Sequence, residues 1–238
     1  MMKIINRAIS FSIIWIMGWL LSSSCTSYTN ESINMNLDST ILIIDISKYS
    51  RKEIAVLIQS ACKYRPRVLA INLLFDSLSD VKTDSVLKTS LKNCKTILSA
   101  SIRNSEIHRS VEVFTANSTN EGVLSYVIDD NDMISNYIPL YEDDKMQMLS
   151  FPDIIAIEYL GADKFDISDY VINKVEKIDF DSEKKSFISL DSGGLTSNLI
   201  EDKIIIMDDF SVRGTNEISF GLISASIVSK IIEKKRVK

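Results

Sequence analysis

Residues 40–45 read Thr-Ile-Leu-Ile-Ile-Asp, a short continuous apolar run rich in β-branched residues. Such a run is typical of a strand that is buried on both faces, as in a parallel sheet. Residues 67–75, Arg-Val-Leu-Ala-Ile-Asn-Leu-Leu-Phe, repeat the pattern, and Pro66 ends any helix before them. Between the two runs, Ser50 and Glu53 have the spacing of a capping box that begins a helix. This part of the chain therefore predicts a β-α-β unit.

The alternation of strand and helix continues along the chain. Residues 84–94 have apolar side chains at helical spacing, and residues 95–101 form another strand-like run. Residues 151–160 predict a helix, residues 203–207 a buried strand and residues 218–232 an amphipathic helix. Because alternating strands and helices build parallel sheets with right-handed crossovers, we predict an α/β fold, a three-layer sandwich with a mostly parallel central sheet.

The middle of the chain interrupts this alternation and predicts an antiparallel hairpin insertion. Five segments have the composition of strands: residues 111–115, 122–128, 133–140, 171–178 and 186–190. The Asp-Asp-Asn-Asp of residues 129–132 supplies turn residues for a hairpin. Its oxygens also suit calcium, but the Gly and distant Glu of an EF-hand loop are missing, so we expect a solvated hairpin tip. The last two segments predict two strands that are joined by the charged turn at residues 179–185.

The N-terminal segment predicts export. Lys3 and Arg7 precede an apolar run over residues 8–21, and three serines then lead to Cys25. This order is typical of a bacterial signal peptide, because a spanning helix needs about 20 apolar residues. A cysteine directly after small residues resembles the lipoprotein signal, in which that cysteine receives diacylglycerol. An uncleaved membrane anchor and an ordinary cleaved signal peptide are the alternatives.

Each of these alternatives places the rest of the chain in the cell envelope, facing the periplasm or the exterior. We divide the chain into a signal peptide (residues 1–24), a polar tether (residues 25–39) and one domain (residues 40–238). The formal charge of the chain is −5, and loss of two basic residues and no acid with the signal peptide makes it −7. This charge argues against nucleic acid as a partner. A lipid on Cys25 would make a membrane a partner of the chain.

Two further cysteines follow Cys25, and one histidine. A disulfide between Cys62 and Cys94 is compatible with an oxidising envelope. Each nevertheless lies in or near a different predicted helix, so we expect two separately packed thiols, because free cysteine behaves as a small hydrophobe. His108 lies in a polar segment that we predict to be an exposed loop.

Polar residues end three of the predicted strands: Asp45, Asn72 and Asp208. Because ligands bind beyond the carboxyl ends of parallel strands, these side chains form a candidate pocket for a cation or a small hydroxylated ligand. Alternatively, each caps the turn or helix that follows it by accepting hydrogen bonds from backbone N–H groups.

Motifs that would indicate an enzyme are missing from the sequence. We find no Gly-x-Ser-x-Gly, no Cys-x-x-Cys and no histidine cluster, and His108 has no recognisable catalytic partner. We therefore expect a protein without catalytic activity, cofactor or resident metal. A metal-dependent hydrolase that uses Asp45 and Asp208 is the alternative.

Several segments resemble the CHASE-two family, the second class of extracellular sensory domains on bacterial histidine kinases and nucleotide cyclases. The similarity covers about residues 40–232, and the segments that carry it are Ile43–Asp45, Arg51, Val68–Phe75, Asp132–Leu140, Lys203–Ile206 and Phe220–Ala225. The chain departs from the family pattern in having Asn72 where Asp is usual, Met133 and Asn136 in the hairpin, and no Trp-Pro-rich segment after the first strand.

The resemblance implies a receptor module with no chemistry of its own. We therefore expect a divergent, free-standing sensory or ligand-binding domain that acts with a partner membrane protein on an unknown small ligand. A structural or interaction lipoprotein of the envelope, in which the same fold has lost its ligand, is the alternative.

Overall fold

A seven-stranded, mostly parallel sheet forms the centre of the protein. The computed structural model describes residues 37–128, 134–178, 186–190, 195–210 and 219–236, all of which belong to one compact unit. The described strands are β1 (Leu37–Asp45), β2 (Val68–Asn72), β3 (Thr96–Arg103), β4 (Glu106–His108), β5 (Asn120–Leu124), β6 (Tyr126–Ile128), β7 (Ile134–Tyr137), β8 (Leu140–Glu142), β9 (Gln147–Leu149), β10 (Glu176–Lys177), β11 (Ser186–Leu190) and β12 (Ile204–Asp208).

The described helices are α1 (Arg51–Lys63), α2 (Val81–Leu91), α3 (Glu112–Thr115), α4 (Phe151–Leu160), α5 (Ser197–Ile200) and α6 (Phe220–Arg236), with 3₁₀ turns at Ala162–Lys164 and Ile167–Asp169. Helix α1 begins with the predicted capping box, in which the Glu53 carboxylate accepts from the Ser50 N–H at 2.8 Å. Helix α4 ends at the cap residue Gly161, whose φ of 102° is unfavourable for other residues.

The strand order in the central sheet is β11-β1-β12-β2-β3, and β5 pairs with β3. These strands are mutually parallel, whereas β4 runs antiparallel to the end of β3. Leu69 and Ile205 are register partners in β2 and β12, and both are fully buried. The prediction of buried strands within residues 67–75 and 203–207 is confirmed.

Helices cover both faces of the sheet, because the central strands are apolar on both faces. On one face, Leu42 and Ile44 pack in a cluster with side chains of α1 and α2. On the other face, Ile41 and Ile43 pack in a cluster with side chains of α4 and α6. The predicted three-layer α/β sandwich is confirmed.

Cys62 and Cys94 form a disulfide, with a Cα–Cα distance of 5.6 Å. The expectation of two separate thiols was therefore wrong. Helices α1 and α2 pack side by side on one face of the sheet, which brings the end of α1 next to the segment that follows α2. That proximity depends on helix packing, which the two local sequences do not encode.

Two short segments differ from their predicted structure. Glu112–Thr115 is helical rather than extended, because the carbonyl of the cap residue Val111 accepts from the Phe114 N–H at 2.9 Å while the Phe114 ring is buried against Phe75. His108 belongs to strand β4 and is half-buried, not in an exposed loop. Positive φ angles of 52° and 65° at Asn104 and Ser105 form the tight turn that pairs β4 with β3.

The antiparallel insertion is present as a small sheet in the order β10-β7-β6, packed on α6. The predicted pairing of its two first strands, β6 and β7, is confirmed. The tip at residues 129–132 lies outside the described residues, as do Cys25, the signal peptide (residues 1–24) and most of the tether.

Of the two strands predicted at residues 171–178 and 186–190, the second is confirmed and the first is wrong for most of its length. Strand β11 pairs in parallel with β1 instead of with its predecessor, and only Glu176–Lys177 of the earlier segment is a strand. Val171, Ile172 and Val175 are exposed. Strand β11 pairs along the edge of β1, and this parallel pairing takes the place of local pairing with the preceding segment.

Candidate functional site

The three polar residues that end β1, β12 and β2 lie side by side at one edge of the sheet. Asp45 is the register partner of Asp208, and Asp208 is the register partner of Asn72. The three strands end at the same level because they are parallel neighbours. The predicted juxtaposition of these residues is therefore confirmed, although their roles differ.

Asp208 is the most buried of the three, with 1% of its surface exposed. Its carboxylate accepts from the Asn72 side-chain amide at 2.5 Å and from the Gly221 backbone N–H, in the first turn of α6, at 2.9 Å. Burial raises the pKa of Asp208, while the hydrogen bonds from Gly221, the Ser219 side chain and Asn72 oppose that rise. The negative charge of Asp209 raises the pKa further.

Asp45 has the local role that the capping alternative describes. Its carboxylate accepts from the Ser47 N–H at 2.8 Å and from the Phe210 N–H at 3.4 Å. Burial disfavours its charge, but the hydrogen bonds from Ser47 and Phe210 and the charge of Lys48 lower its pKa overall. Asp45 does not line the cleft described next.

A cleft of about 540 Å³ opens beyond the carboxyl ends of β2, β3 and β12. The insertion and the start of α6 form its other walls. Eight of the lining residues are apolar or aromatic, and six are polar or charged. They are Leu73, Leu74, Ile102, Leu124, Tyr126, Ile128, Ile134 and Phe220, and Asn72, Ser99, Ser101, Arg103, Asp208 and Asp209.

Two aromatic rings form part of the apolar wall. Tyr126 and Phe220 stack with ring centroids 5.5 Å apart and an angle of 4° between the planes. The Tyr126 hydroxyl lies 2.5 Å from Ser224 Oγ, which fixes the ring against α6. Burial raises the pKa of Tyr126; the hydrogen bond with Ser224 opposes this rise, and the charge of Asp208 adds to it.

The polar part of the cleft contains one unusual group. The Ser101 hydroxyl is buried, and within the described residues it has no hydrogen-bond partner. Arg103, by contrast, is more than half exposed and lies 3.6 Å from the Asp76 carboxylate. Buried hydroxyls usually have partners, so the Ser101 hydroxyl is an exception among the described residues.

Three residues of the cleft were not predicted from the sequence: Ser101, Tyr126 and Phe220. The place of Ser101 could have been predicted, because Ser101 lies near the carboxyl end of β3, at the same sheet edge as Asn72 and Asp208. No sequence pattern indicated the two aromatic residues, since Tyr126 lies in the insertion and Phe220 is the first residue of α6. Only their packing brings them to the cleft.

A buried acid outside this cleft was also not predicted from the sequence. Asp153, in the first turn of α4, accepts from the Ser150 hydroxyl at 2.5 Å and from the Tyr170 hydroxyl at 3.1 Å. Burial raises its pKa to about 7, against the effect of these two hydrogen bonds. It lies beside a second cavity of about 370 Å³, whose lining includes Lys234 and Lys235.

Within the described ranges, no three metal-ligating side chains converge on one point. None of the helices described is long and apolar enough to cross a membrane. Comparison of the chain with known protein families, curated proteins and solved structures finds no match.

Proposed function

We propose that this protein is a membrane-tethered, extracytoplasmic ligand-binding module of the sensory type that the CHASE-two resemblance implies. It has no catalytic activity in this proposal and acts with a partner membrane protein. The cleft beyond the carboxyl ends of β2, β3 and β12 is the observation that supports it most. Clefts with mostly apolar walls and a few convergent polar groups are the common form of small-molecule sites.

The Cys62–Cys94 disulfide supports the proposed compartment independently of the leader sequence. Structural disulfides persist in oxidising environments and are rare in the reducing cytosol of mesophiles. The proposed order of events is export, attachment of lipid to Cys25, and oxidation of the two cysteines in the envelope.

One observation favours the alternative of an interaction lipoprotein without a ligand. Val171, Ile172 and Val175 are 58%, 42% and 50% exposed, and they lie within five residues of each other. Exposed apolar groups that cluster in this way mark protein contacts in many proteins. The hydrolase alternative has no comparable support, because Asp45 lies outside the cleft and its carboxylate accepts from backbone N–H groups.

Binding of 1-aminoanthracene, a small fluorescent aromatic probe, tests whether the cleft accepts a ligand. We expect saturable fluorescence enhancement with the wild type and its loss in Leu124→Trp, which fills the cleft from β5. Leu78→Trp is the matched control, because Leu78 is 65% exposed and does not line the cleft. No enhancement with the wild type, or equal enhancement in all three proteins, would refute a ligand site here.

A further inference from the structure

Half of the exposed large apolar side chains among the described residues lie in one short segment. Ile167, Val171, Ile172 and Val175 are 64%, 58%, 42% and 50% exposed, and the others lie elsewhere in the chain. The last three belong to a tight turn at residues 171–175, which we call the apolar turn. Single exposed apolar side chains are ordinary, but a group of them marks a contact surface.

The composition of the apolar turn is unusual for a turn. The Lys174 N–H donates to the Val171 carbonyl at 3.3 Å, and Asn173 has a φ of 53°. Gly, Pro, Asn, Asp and Ser are the residues that turns usually contain. Val171 and Ile172 are instead β-branched and apolar. Neither turn propensity nor burial in the domain explains them.

Hydrogen bonds hold this segment to the domain while its apolar side chains remain exposed. The Asn173 N–H donates to the Leu140 carbonyl at 2.8 Å. The Asn173 side chain accepts from the Glu142 N–H at 2.9 Å and donates to the Glu142 carbonyl at 3.1 Å. The Tyr170 hydroxyl donates to the buried Asp153 at 3.1 Å. The apolar turn is therefore already ordered for contact with another surface.

The apolar turn carries a positive charge. Lys174 is the one charged residue in residues 171–175, and it is exposed. The two residues after the turn, Glu176 and Lys177, balance each other in charge. The turn therefore combines apolar side chains with an ammonium group, in a chain of formal charge −5. An anionic membrane presents the matching combination, an apolar interior beneath a negatively charged surface.

A second copy of the chain fits the apolar turn less well than a membrane does. A stable interface between proteins takes about 800 Å² and roughly 20–30 residues from each partner, far more than one turn supplies. A symmetric contact between two copies would also bring the two Lys174 ammonium groups together. A membrane contact can be smaller, because a tether keeps the domain close to the surface.

The length of the proposed tether is compatible with this contact. Between the proposed lipid site, Cys25, and the first residue of β1, Leu37, the 12 residues 25–36 span at most about 40 Å. A domain of about 200 residues has a radius of gyration of about 17 Å, so the tether allows most faces of the domain to reach the membrane. The tether does not select a face, whereas the apolar turn does.

We propose that the apolar turn inserts Val171, Ile172 and Val175 among the lipids of the membrane that holds the tether, with the Lys174 ammonium group beside the lipid phosphates. This inference rests on the proposed membrane tether and adds a lipid-binding surface to it. A second copy or an acidic partner protein is the alternative occupant, and the experiment distinguishes both from a membrane.

A single tryptophan reporter tests the contact. The two tryptophans of the chain are removed in every protein by Trp15→Phe and Trp19→Phe, and Ile172→Trp adds the reporter. Val81→Trp is the matched control, because Val81 is 88% exposed at the start of α2, on the other face of the sheet. The full chain, purified from membranes, is reconstituted into vesicles of phosphatidylethanolamine and phosphatidylglycerol, with or without bromine on the acyl chains.

Bromine on the acyl chains quenches the fluorescence of a tryptophan that reaches them. An inserted turn lies about 5–10 Å deep at the headgroup boundary, so we expect the fluorescence of Ile172→Trp to fall at least about twofold in brominated vesicles. The fluorescence of Val81→Trp should not change. Quenching of both proteins alike, or of neither, would overturn the inference. A blue-shifted emission of Ile172→Trp without quenching would also overturn it, because protein would then cover the turn.

Lys174→Glu, combined with Ile172→Trp, tests the role of the charge. We expect its quenching to be at least about twofold weaker than that of the parent in vesicles with phosphatidylglycerol, because a basic residue near an anionic surface is attracted to it. In uncharged phosphatidylcholine vesicles the two proteins should agree. Lys82→Glu, at an exposed lysine of α2, is the control and should leave the quenching unchanged. Equal quenching of Lys174→Glu and Lys82→Glu in the anionic vesicles would contradict the role of Lys174.

Flotation of the vesicles separates this inference from the proposed function. A protein that does not float with the vesicles refutes the membrane tether and, with it, the contact. A protein that floats while Ile172→Trp stays unquenched refutes only the contact of the apolar turn.

Discussion

Gly221 lies directly against Asp208. A Cβ atom built on Gly221 would be 2.6 Å from Asp208 Cβ and 2.7 Å from its Oδ2 atom. Contacts this short do not occur between real side chains, so the first turn of α6 approaches the carboxylate closely because residue 221 has no side chain. The same approach allows the Gly221 N–H to donate to Asp208 at 2.9 Å.

Gly221→Ala should therefore destabilise the protein, although alanine is the better helix former. Overpacking of a buried site costs roughly 1–3 kcal/mol, which exceeds the ~1 kcal/mol that alanine contributes in a helix interior. Urea unfolding of the variant measures the difference. Ser226→Ala, a small change on the same helix, should stay within about 0.5 kcal/mol of the wild type. A more stable Gly221→Ala protein would contradict the close approach.

Truncation of Leu69 or Ile205 to Ala should lower the free energy of unfolding by roughly 2–5 kcal/mol each, because both side chains are fully buried in the central sheet. Their effects should not be additive, since the two residues are register partners. Leu78→Ala, at an exposed position, is the control. Unchanged thermal midpoints in both core variants would contradict the assigned centre of the sheet.

Reduction of the Cys62–Cys94 disulfide should destabilise the domain. The two cysteines are 32 residues apart, and a cross-link over a loop of that length contributes about 3–4 kcal/mol in the chain-entropy model. Urea titrations with and without reductant measure the effect, and the Cys62→Ser/Cys94→Ser protein should not respond to reductant. Peptide mapping without reductant should recover the two cysteines in one linked fragment; free thiols at both positions would refute the disulfide.

Asp153 predicts a pH dependence of stability. Its pKa in the folded protein is about 7, above the ordinary value of 3.8, so between these values the folded state holds a proton that the unfolded state has lost. The contribution of protonated Asp153 to the free energy of unfolding is fully present below about pH 4 and is lost as the pH rises to about 7. From pH 4 to pH 8, the stability of the wild type relative to Asp153→Asn should therefore fall, by at most about 4 kcal/mol.

Urea midpoints of both proteins across this pH range test the assignment. Asp169→Asn, an exposed acid beside the same cavity, is the control and should follow the wild-type profile. A constant difference between the wild type and Asp153→Asn at every pH would show that Asp153 does not titrate in this range.

Cys25→Ser should release the protein from the membrane fraction or leave it unprocessed, because lipid attachment requires the cysteine thiol. Fractionation followed by mass spectrometry of the N-terminus measures both outcomes. The Cys62→Ser/Cys94→Ser protein should remain in the membrane fraction. A Cys25→Ser protein that is processed and membrane-bound like the wild type would rule out lipidation at this position.

The sequence predicted the parts of the fold that depend on local patterns. The run that became β1 and the run that became β12 are continuously apolar, and that pattern requires burial on both faces of a sheet. Asn72 and Asp208 are 136 residues apart in the sequence. Their proximity could be predicted because the carboxyl ends of parallel strands lie at the same edge of a sheet.

The parts that were missed depend on contacts between distant segments. The disulfide required the packing of α1 beside α2, and the partner of β11 was decided by the open edge of β1. Tyr126 and Phe220 reach the cleft only because the insertion packs on α6. The pattern around each of these residues contains no information about the partner.

The order of strands in the central sheet also has a consequence for biosynthesis. Both strands that pair with β1 in the described structure, β11 and β12, come from residues 186–208. An emerging chain therefore carries β1 without a pairing partner until most of the domain has been made, and long-range pairing of this kind is slow. For a chain that we propose is exported, this topology delays folding until translocation across the membrane is nearly complete.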